Sequence, residues 1–408
     1  MIFLLHSNKT YCGEFKGEVV CMSNEVLNRL SDSWLDLREI VVYGFGKVAQ
    51  RNIDKLIKDF SVKCIVDNDP RYAAGGEYQG IGIHNLQQAS KEIKLYKVII
   101  CTSSLAYASI KKDLQSLGLK EYEDYCRLEN FMTEWYWKYR GEVVLSDMSS
   151  AITSKCTLNC EHCNVFMPYY KEHYETTTNE LMRDLKLLFQ RVDYLASYFI
   201  FGGEPLLNKS LPEMIMNVYN EFHDRIGCIQ IITNGTLVPS KKLLDACKKS
   251  NTKIRVSDYT KQVPYHQKLA EVKETLEKSG VDWSMGIHDT WRSLVFPAAI
   301  KPIAKNPEDA RRHMLTCSIG CHIVGDGRLY YCGALLGAAR GKLWNFSEGD
   351  YIDLSKSEGS LERDKLRIMR YCLGDIDNQY ISMCNVCYGL GTDNHYEVVA
   401  GVQMKREK

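Results

Sequence analysis

The chain has 408 residues, enough for two or three domains of ordinary size. Hydrophobic residues make up 45% and charged residues 25%, as in a soluble globular protein, and a net charge of +1 gives no electrostatic footprint for nucleic acid or an anionic membrane surface. No apolar run reaches the about 18 residues of a membrane span, and residues 1–6 are apolar but too short, and lack the basic start, for a signal peptide. A cytoplasmic protein without membrane or nucleic-acid partners is expected. Its 16 cysteines, several at C-x2-C spacing, then point to metal binding rather than disulfides.

Residues 1–38 carry little pattern. Residues 39–130 read as a small α/β domain. The buried-strand run Glu39-Ile40-Val41-Val42-Tyr43 leads into Gly44-Phe45-Gly46-Lys47-Val48-Ala49, a G-x-G-x-x-A turn. A helix follows with Val48, Ile53, Leu56 and Ile57 on one side. A second strand, 62–66, ends at Asp67-Asn68-Asp69-Pro70, and a later one, 97–101, ends in a polar turn. This is the order of a Rossmann-like unit, with Asp67 about 20 residues past the glycines, where a ribose-binding acid would sit. A lone glycine pattern leaves two readings open: a nucleotide site, or a tight turn and nothing more. The segment resembles the N-terminal domains of nucleotide-sugar enzymes and sugar acyltransferases, in which Val-Asp-Asn-Asp also ends the second strand.

Residues 131–142, with Phe131, Trp135 and Trp137, are expected to be an aromatic connector packed between domains. Strands at about 143–145, 198–202, 228–233, 253–257 and 281–287 alternate with helices over residues 143–300, the pattern of a parallel sheet covered by helices. One helix opens with a capping box, Thr177 to Glu180, and carries Leu181, Leu185, Leu188 and Val192 on one stripe.

The chemistry concentrates in Cys156-Thr-Leu-Asn-Cys160-Glu-His162-Cys163, a C-x3-C-x2-C spacing. Three close thiolates can hold three irons of a cubane cluster. Most such clusters have four cysteine ligands, so a trio leaves one iron open for something else. C-x2-C also reads as zinc, but three further segments follow in order. Gly202-Gly203-Glu204-Pro205 comes after the apolar run 198–200, Thr233-Asn234-Gly235 ends the strand 229–233, and Ser257-Asp258 ends the strand 253–257. All three fall at the carboxyl ends of strands, where parallel α/β sheets bind ligands.

Spacing and order resemble the radical S-adenosylmethionine (SAM) superfamily, over about residues 143–390. The resemblance implies a partial (β/α)6 barrel and an oxygen-sensitive [4Fe–4S] cluster on Cys156, Cys160 and Cys163. Its open iron would chelate the amino and carboxylate groups of SAM. Gly202, Gly203, Glu204 and Pro205 would bind the methionine amino group. Thr233 and Asn234 would lie in the SAM site, and Ser257 would meet the ribose. His162 stands where the family usually has an aromatic residue.

Residues 301–408 hold Cys317, Cys321, Cys332, Cys372, Cys384 and Cys387. Cys332 closes a G-x4-C hairpin begun at Gly327, and Cys384 and Cys387 form a C-x2-C pair. This resembles the SPASM/twitch extension. No cysteine follows Cys387, so the shorter twitch form is implied, with one auxiliary [4Fe–4S] cluster on Cys317, Cys332, Cys384 and Cys387. Cys321 is an alternative to Cys317, and the same four thiolates could instead hold structural zinc. Cys321 and Cys372 are candidate hydrogen donors to a substrate radical, as in radical SAM epimerases, or simply packed thiols.

By resemblance, an external donor such as flavodoxin or ferredoxin reduces the first cluster. SAM is then cleaved to a 5′-deoxyadenosyl radical, which abstracts a hydrogen atom. Three readings stand: oxidation or epimerisation of a sugar or nucleotide-linked small molecule, cross-linking or thioether formation in a ribosomal peptide, and a non-catalytic iron–sulfur protein. The Rossmann-like domain and the single auxiliary cluster favour the first. The SAM-binding segments speak against the last.

Overall fold

Short runs rich in Val, Ile and Tyr become the parallel strands of the N-terminal region, because branched and aromatic side chains suit a pleated, half-buried surface. The computed structural model describes residues 3–6, 10–15, 18–23, 29–72, 75–102, 104–317, 322–391 and 393–405. The chain divides into two compact units. One comprises Met1–Ser146, Val192–Ala196 and Gly359–Leu373, and the other Asp147–Arg191, Ser197–Glu358 and Gly374–Lys408.

The first unit begins with an antiparallel sheet of β1 (Phe3–His6), β2 (Thr10–Phe15) and β3 (Glu18–Ser23). The sequence hides it, because pairs such as Leu4-Leu5 and Val19-Val20 break the alternation that marks a strand. Next come β4 (Glu39–Tyr43), β5 (Ser61–Val66), β6 (Gly76–Tyr78), β7 (Ile81–His84), β8 (Lys97–Ile100) and β9 (Tyr125–Arg127). They form one sheet in the order β6-β7-β5-β4-β8-β9, parallel except for β6 against β7.

The strand order reverses between β4 and β8, the switch point at which open α/β sheets bind ligands. Here the turn closes on itself. Gly44 has φ +95°, and a Cβ there would lie 2.3 Å from Thr102 Cγ2. Asp67 Oδ2 accepts from Phe45 N (2.6 Å) and Oδ1 from Asp69 N (2.8 Å). Both oxygens of the candidate ribose acid thus serve the chain's own backbone. Phe45, in the middle of the glycine turn, is buried edge-on to Tyr72 and Tyr78.

The aromatic segment is helical, running through Leu128–Asn130, one wide π turn at Phe131–Trp135, and Tyr136–Arg140. Phe131, Met132, Trp135 and Tyr136 join the first unit's core with Leu30, Trp34 and Phe60. Trp135 Nε1 donates to Trp34 O at 3.0 Å. The segment is therefore core of this unit as well as a link.

The second unit is an α/β assembly on an eight-stranded sheet, of which residues 144–146 and 194–196 are counted with the first unit. Its strands are β10 (Val144–Ala151), β11 (Tyr194–Phe201), β12 (Ile229–Thr233), β13 (Lys253–Asp258), β14 (Trp283–Ile287), then β16 (His322–Gly325), β17 (Arg328–Tyr330) and β18 (Tyr351–Asp353). The order is β14-β13-β12-β11-β10-β16-β17-β18. Parallel pairing joins β11 to β12, β12 to β13, β13 to β14, and β10 to β16. The five strands read from the sequence over residues 143–300 are β10–β14, which stand in sequence order in the sheet. After β14 the chain turns into β15 (Thr290–Arg292), which pairs with β19 (Glu397–Val399) instead. The next parallel strand, β16, joins the free edge of β10.

The capping box forms as read: Glu180 N donates to Thr177 Oγ1, and Thr177 N to Glu180 Oε2. Leu181, Leu185 and Leu188 of that helix are buried. Among the described residues no helix is long and apolar enough to cross a membrane.

Gly44→Ala should destabilise the protein by about 2 kcal/mol, because a positive φ and a 2.3 Å clash must both be relieved. Gly46→Ala, with nothing within 4 Å of its Cβ, should cost about 1 kcal/mol or less. Urea midpoints of the two variants check this, and equal losses would show that the Gly44 turn is not the constrained one.

Candidate metal centre

The site is built where β10 to β13 end. Beyond β10, residues 152–155 lie flat against the segment that follows β11. Ile152 N donates to Phe201 O, Gly203 N to Thr153 O and Glu204 N to Lys155 O, each at 2.8 Å. A Cβ on Gly202 would sit 2.5 Å from Thr153 O, and one on Gly203 would sit 2.3 Å from Lys155 O and 3.0 Å from Cys156 Cβ. The sequence suggested that these glycines admit a ligand. The structure shows what they admit first: the backbone that launches the cysteine loop.

Cys156, Cys160 and Cys163 follow on that loop as free thiols. Burial pushes the Cys156 thiol up to about 12 and Cys160 to about 11, and raises Cys163 as well. Metal binding must therefore displace protons from all three. Amide donors face two of the sulfurs. Asn234 Nδ2 stands 3.6 Å from Cys156 Sγ, and Gln403 Nε2 3.3 Å from Cys160 Sγ. Hydrogen bonds of this kind favour the thiolate form. Three thiols on one loop, with N–H groups aimed at two of them, fit the donor set of an iron–sulfur cluster.

Glu204 is completely buried. Its carboxylate accepts from Thr233 Oγ1 (2.8 Å), Asn234 N (2.8 Å) and Leu206 N (3.1 Å). Desolvation pushes its pKa up to about 7, against the pull of these three donors. Glu204 thus ties the end of β11 to the end of β12, and Pro205 opens the short 3-10 turn behind it. Asn234 Oδ1 accepts from Thr236 N and Oγ1, while its Nδ2 donates to Thr157 Oγ1 at 3.0 Å, which fixes the amide toward the loop. Ser257 lies at the end of β13, half-buried and hydrogen-bonded to Tyr259. Tyr259 stacks on His288 and meets Trp291 edge-on, an aromatic wall that sequence reading did not single out. His162 is half-buried, its Nδ1 3.1 Å from Ser293 Oγ.

The second set of cysteines also converges. Cys317, Cys332, Cys384 and Cys387 border one small apolar cavity with His313, Met314 and Leu335. The hairpin β16–β17 turns at Asp326 and Gly327, both at positive φ, and delivers Cys332. Burial raises the Cys332 thiol to about 12 and holds Cys384 and Cys387 high, with the neighbouring thiols adding to the effect. Leu390 N donates to Cys317 Sγ at 3.3 Å. His313 bridges Asp393 (2.6 Å) and the Cys387 carbonyl (2.8 Å). Buried Asp350 accepts from the backbone N and hydroxyl of both Ser347 and Ser382, pinning the turn that carries Cys384. Among the described residues, no group of three or more His, Cys, Asp or Glu closes on a single-ion position.

Other candidates fall elsewhere. Cys321 lies outside the described residues. Cys372 is buried at the end of the helix Leu361–Cys372, which belongs to the first unit rather than to the one holding both thiol sets. Sequence reading missed Asn234 and Gln403 as donors to sulfur, Arg340 on the Ala151 carbonyl (2.7 Å), and Asp350. Each depends on a partner far along the chain, so no local pattern marks it.

A largely parallel α/β sheet with a thiol loop at its strand ends is the arrangement of a ligand-binding α/β protein. Within that class, residues 150–258 match the Radical SAM superfamily, and the chain carries a radical SAM domain. That domain implies a [4Fe–4S] cluster and SAM as cofactors. The chain is 31% identical over 145 residues to a probable GTP 3′,8-cyclase of Methanococcus aeolicus, covering 34% of this chain and 45% of that protein. It is 31% identical over 138 residues to a probable GTP 3′,8-cyclase of Methanococcus maripaludis, covering 32% and 43%. The chain thus spans less than half the length of these relatives. The solved structure of BtrN with AdoMet and 2-DOIA is similar at 15% identity and a TM-score of 0.37, over 58% of this chain and 85% of that one.

Glu204 also predicts a pH dependence. Its folded pKa of about 7 lies above the ordinary 4.5, so the fold holds a proton that the unfolded chain releases. Its stabilising contribution is complete below about 4.5 and is lost as pH rises through about 7. Urea midpoints of the metal-free protein should fall across that window, and Glu204→Gln should flatten the fall. An unchanged slope in the variant would assign it to other groups.

Proposed function

We propose that the protein is a radical SAM oxidoreductase acting on a small molecule, either a sugar or a nucleotide-linked compound. The SAM cluster sits on Cys156, Cys160 and Cys163, and a twitch-type auxiliary [4Fe–4S] cluster on Cys317, Cys332, Cys384 and Cys387. One observation carries the oxidative outcome. Four cysteines spread from position 317 to 387 border one cavity, in the same compact unit as the cysteine trio.

When bound, the SAM cluster with SAM and an electron from an external donor supplies a hydrogen-atom abstractor. This chain's residues set its surroundings. Glu204, Thr233 and Asn234 lock the ends of β11 and β12 behind the cysteine loop. Ser257 at the end of β13 and Tyr259 just after it pair their polar groups there. For a net oxidation the substrate carbon loses a hydrogen atom, then a proton and one electron. A second buried thiolate-bound cluster gives that electron a place to go. The substrate class draws support from the similarity to two probable GTP 3′,8-cyclases, whose name contains a nucleotide. The N-terminal glycine turn does not add to it, since Asp67 is engaged by Phe45 and Asp69.

Anaerobically reconstituted protein should carry about eight irons per chain, for two four-iron clusters, and Cys332→Ala/Cys384→Ala about four. With SAM and a reductant, that variant should still release 5′-deoxyadenosine but lose the oxidised product. Cys156→Ala/Cys160→Ala/Cys163→Ala should release none above background. Stimulation of wild-type turnover by nucleotide-activated sugars and not by peptides is expected. Stimulation by peptides alone would overturn the substrate class, and solvent deuterium in an unoxidised product would replace oxidation with epimerisation.

A further inference from the structure

The segment after β19 folds back onto the cysteine loop. Gly401, at φ +82°, passes Tyr259 so closely that a Cβ would lie 3.2 Å from Tyr259 Cβ. Beyond it the chain pairs with the loop like a short strand. Glu161 N donates to Val402 O and Met404 N to Asn159 O, each at 2.8 Å, and Cys160 and Gln403 form an antiparallel bridge. Asn159 Nδ2 adds a bond to Met404 O at 3.0 Å.

Within this clasp the Gln403 side chain is held at both ends. Its Oε1 accepts from Asn159 N at 2.6 Å, which fixes the orientation of the amide. Its two N–H groups then have one partner each: Gly401 O at 2.7 Å and Cys160 Sγ at 3.3 Å. The contact with sulfur is thus set by two other side-chain bonds and does not depend on a freely rotating side chain. The other side-chain donor, Asn234 on Cys156, is longer at 3.6 Å.

We infer that Gln403 is a positioning residue that raises the reduction potential of the cluster on Cys156, Cys160 and Cys163. This inference rests on the reading that this trio holds the cluster. An N–H···S bond draws negative charge from a ligand sulfur, and so stabilises the extra electron of the reduced state more than the oxidised state. Removing the donor makes the cluster harder to reduce.

The test is an EPR-monitored redox titration of the full-length, anaerobically reconstituted protein, following the reduced signal that changes when SAM is added. Gln403→Glu keeps the acceptor for Asn159 N and loses the donor, while Gln403→Met loses both. Val402→Ala alters the same clasp without touching the donor. Both Gln403 variants should show an about tenfold lower ratio of reduced to oxidised cluster at a fixed potential, a shift of about 59 mV for a one-electron couple. Val402→Ala should titrate as wild type. Equal midpoints in all four proteins, with iron contents unchanged, would overturn the inference and leave the cluster assignment standing. Loss of iron from both Gln403 variants but not from Val402→Ala would also overturn it, making Gln403 a structural support. Wild-type protein without a SAM-responsive signal would remove the cluster assignment, and the inference with it.

Discussion

Gly203 lies so close to Lys155 that even a methyl group would drive into its carbonyl, and most of the site depends on this approach. Two strand ends are laid backbone to backbone there, joined by Gly203 N to Thr153 O and Glu204 N to Lys155 O. The cysteine loop leaves from that seam, so its first thiol, Cys156, has a fixed origin. Glu204, buried directly behind it, extends the lock to β12 through Thr233 and Asn234. Asn234 in turn reaches the loop through Thr157 and Cys156. A buried carboxylate is costly to desolvate, and three donors are what make this one tolerable.

The second thiol set is organised differently. No single loop carries it. Cys317 ends the helix Pro307–Thr316, Cys332 follows a hairpin, and Cys384 and Cys387 sit in and just after a 3-10 turn. Two polar anchors bring these pieces together: His313 on the Cys387 carbonyl, and buried Asp350 on the backbone of Ser382. Each anchor holds a cysteine-bearing turn through its backbone, His313 by the Cys387 carbonyl and Asp350 by Ser382 N.

The N-terminal unit separates fold from function. Its strand order is that of a nucleotide-binding sheet, and its glycine turn stands at the switch point. Yet Gly44 packs against Thr102, and Asp67 has both oxygens on backbone N–H groups of its own chain. The features that suggested a ribose site are consistent with a requirement of the turn itself. A fold shared with many binding proteins does not by itself supply a site.

What could be read in the sequence was local. The C-x3-C-x2-C run, the Gly-Gly-Glu-Pro segment, the capping box at Thr177 and the hairpin at Gly327 all act over a few residues, so their spacing alone displays them. The strand runs near 198–202, 228–233 and 253–257 were visible for the same reason, the first as an unbroken apolar stretch and the last by its alternation of Ile254 and Val256 with polar residues. Contacts over long separations stayed hidden. Nothing near Gln403 announces that it will meet Cys160, 243 positions away. Nothing near Asp350 points to Ser382, and the role of Phe131 and Trp135 as core around Trp34 and Phe60 appears only once the first unit closes. The sequence by itself determined which residues could do the chemistry, because ligand type and close spacing are written in order along the chain. Only the tertiary structure decided which polar groups face the sulfurs and which are already engaged, because those pairings are set by packing between segments that the chain order does not relate.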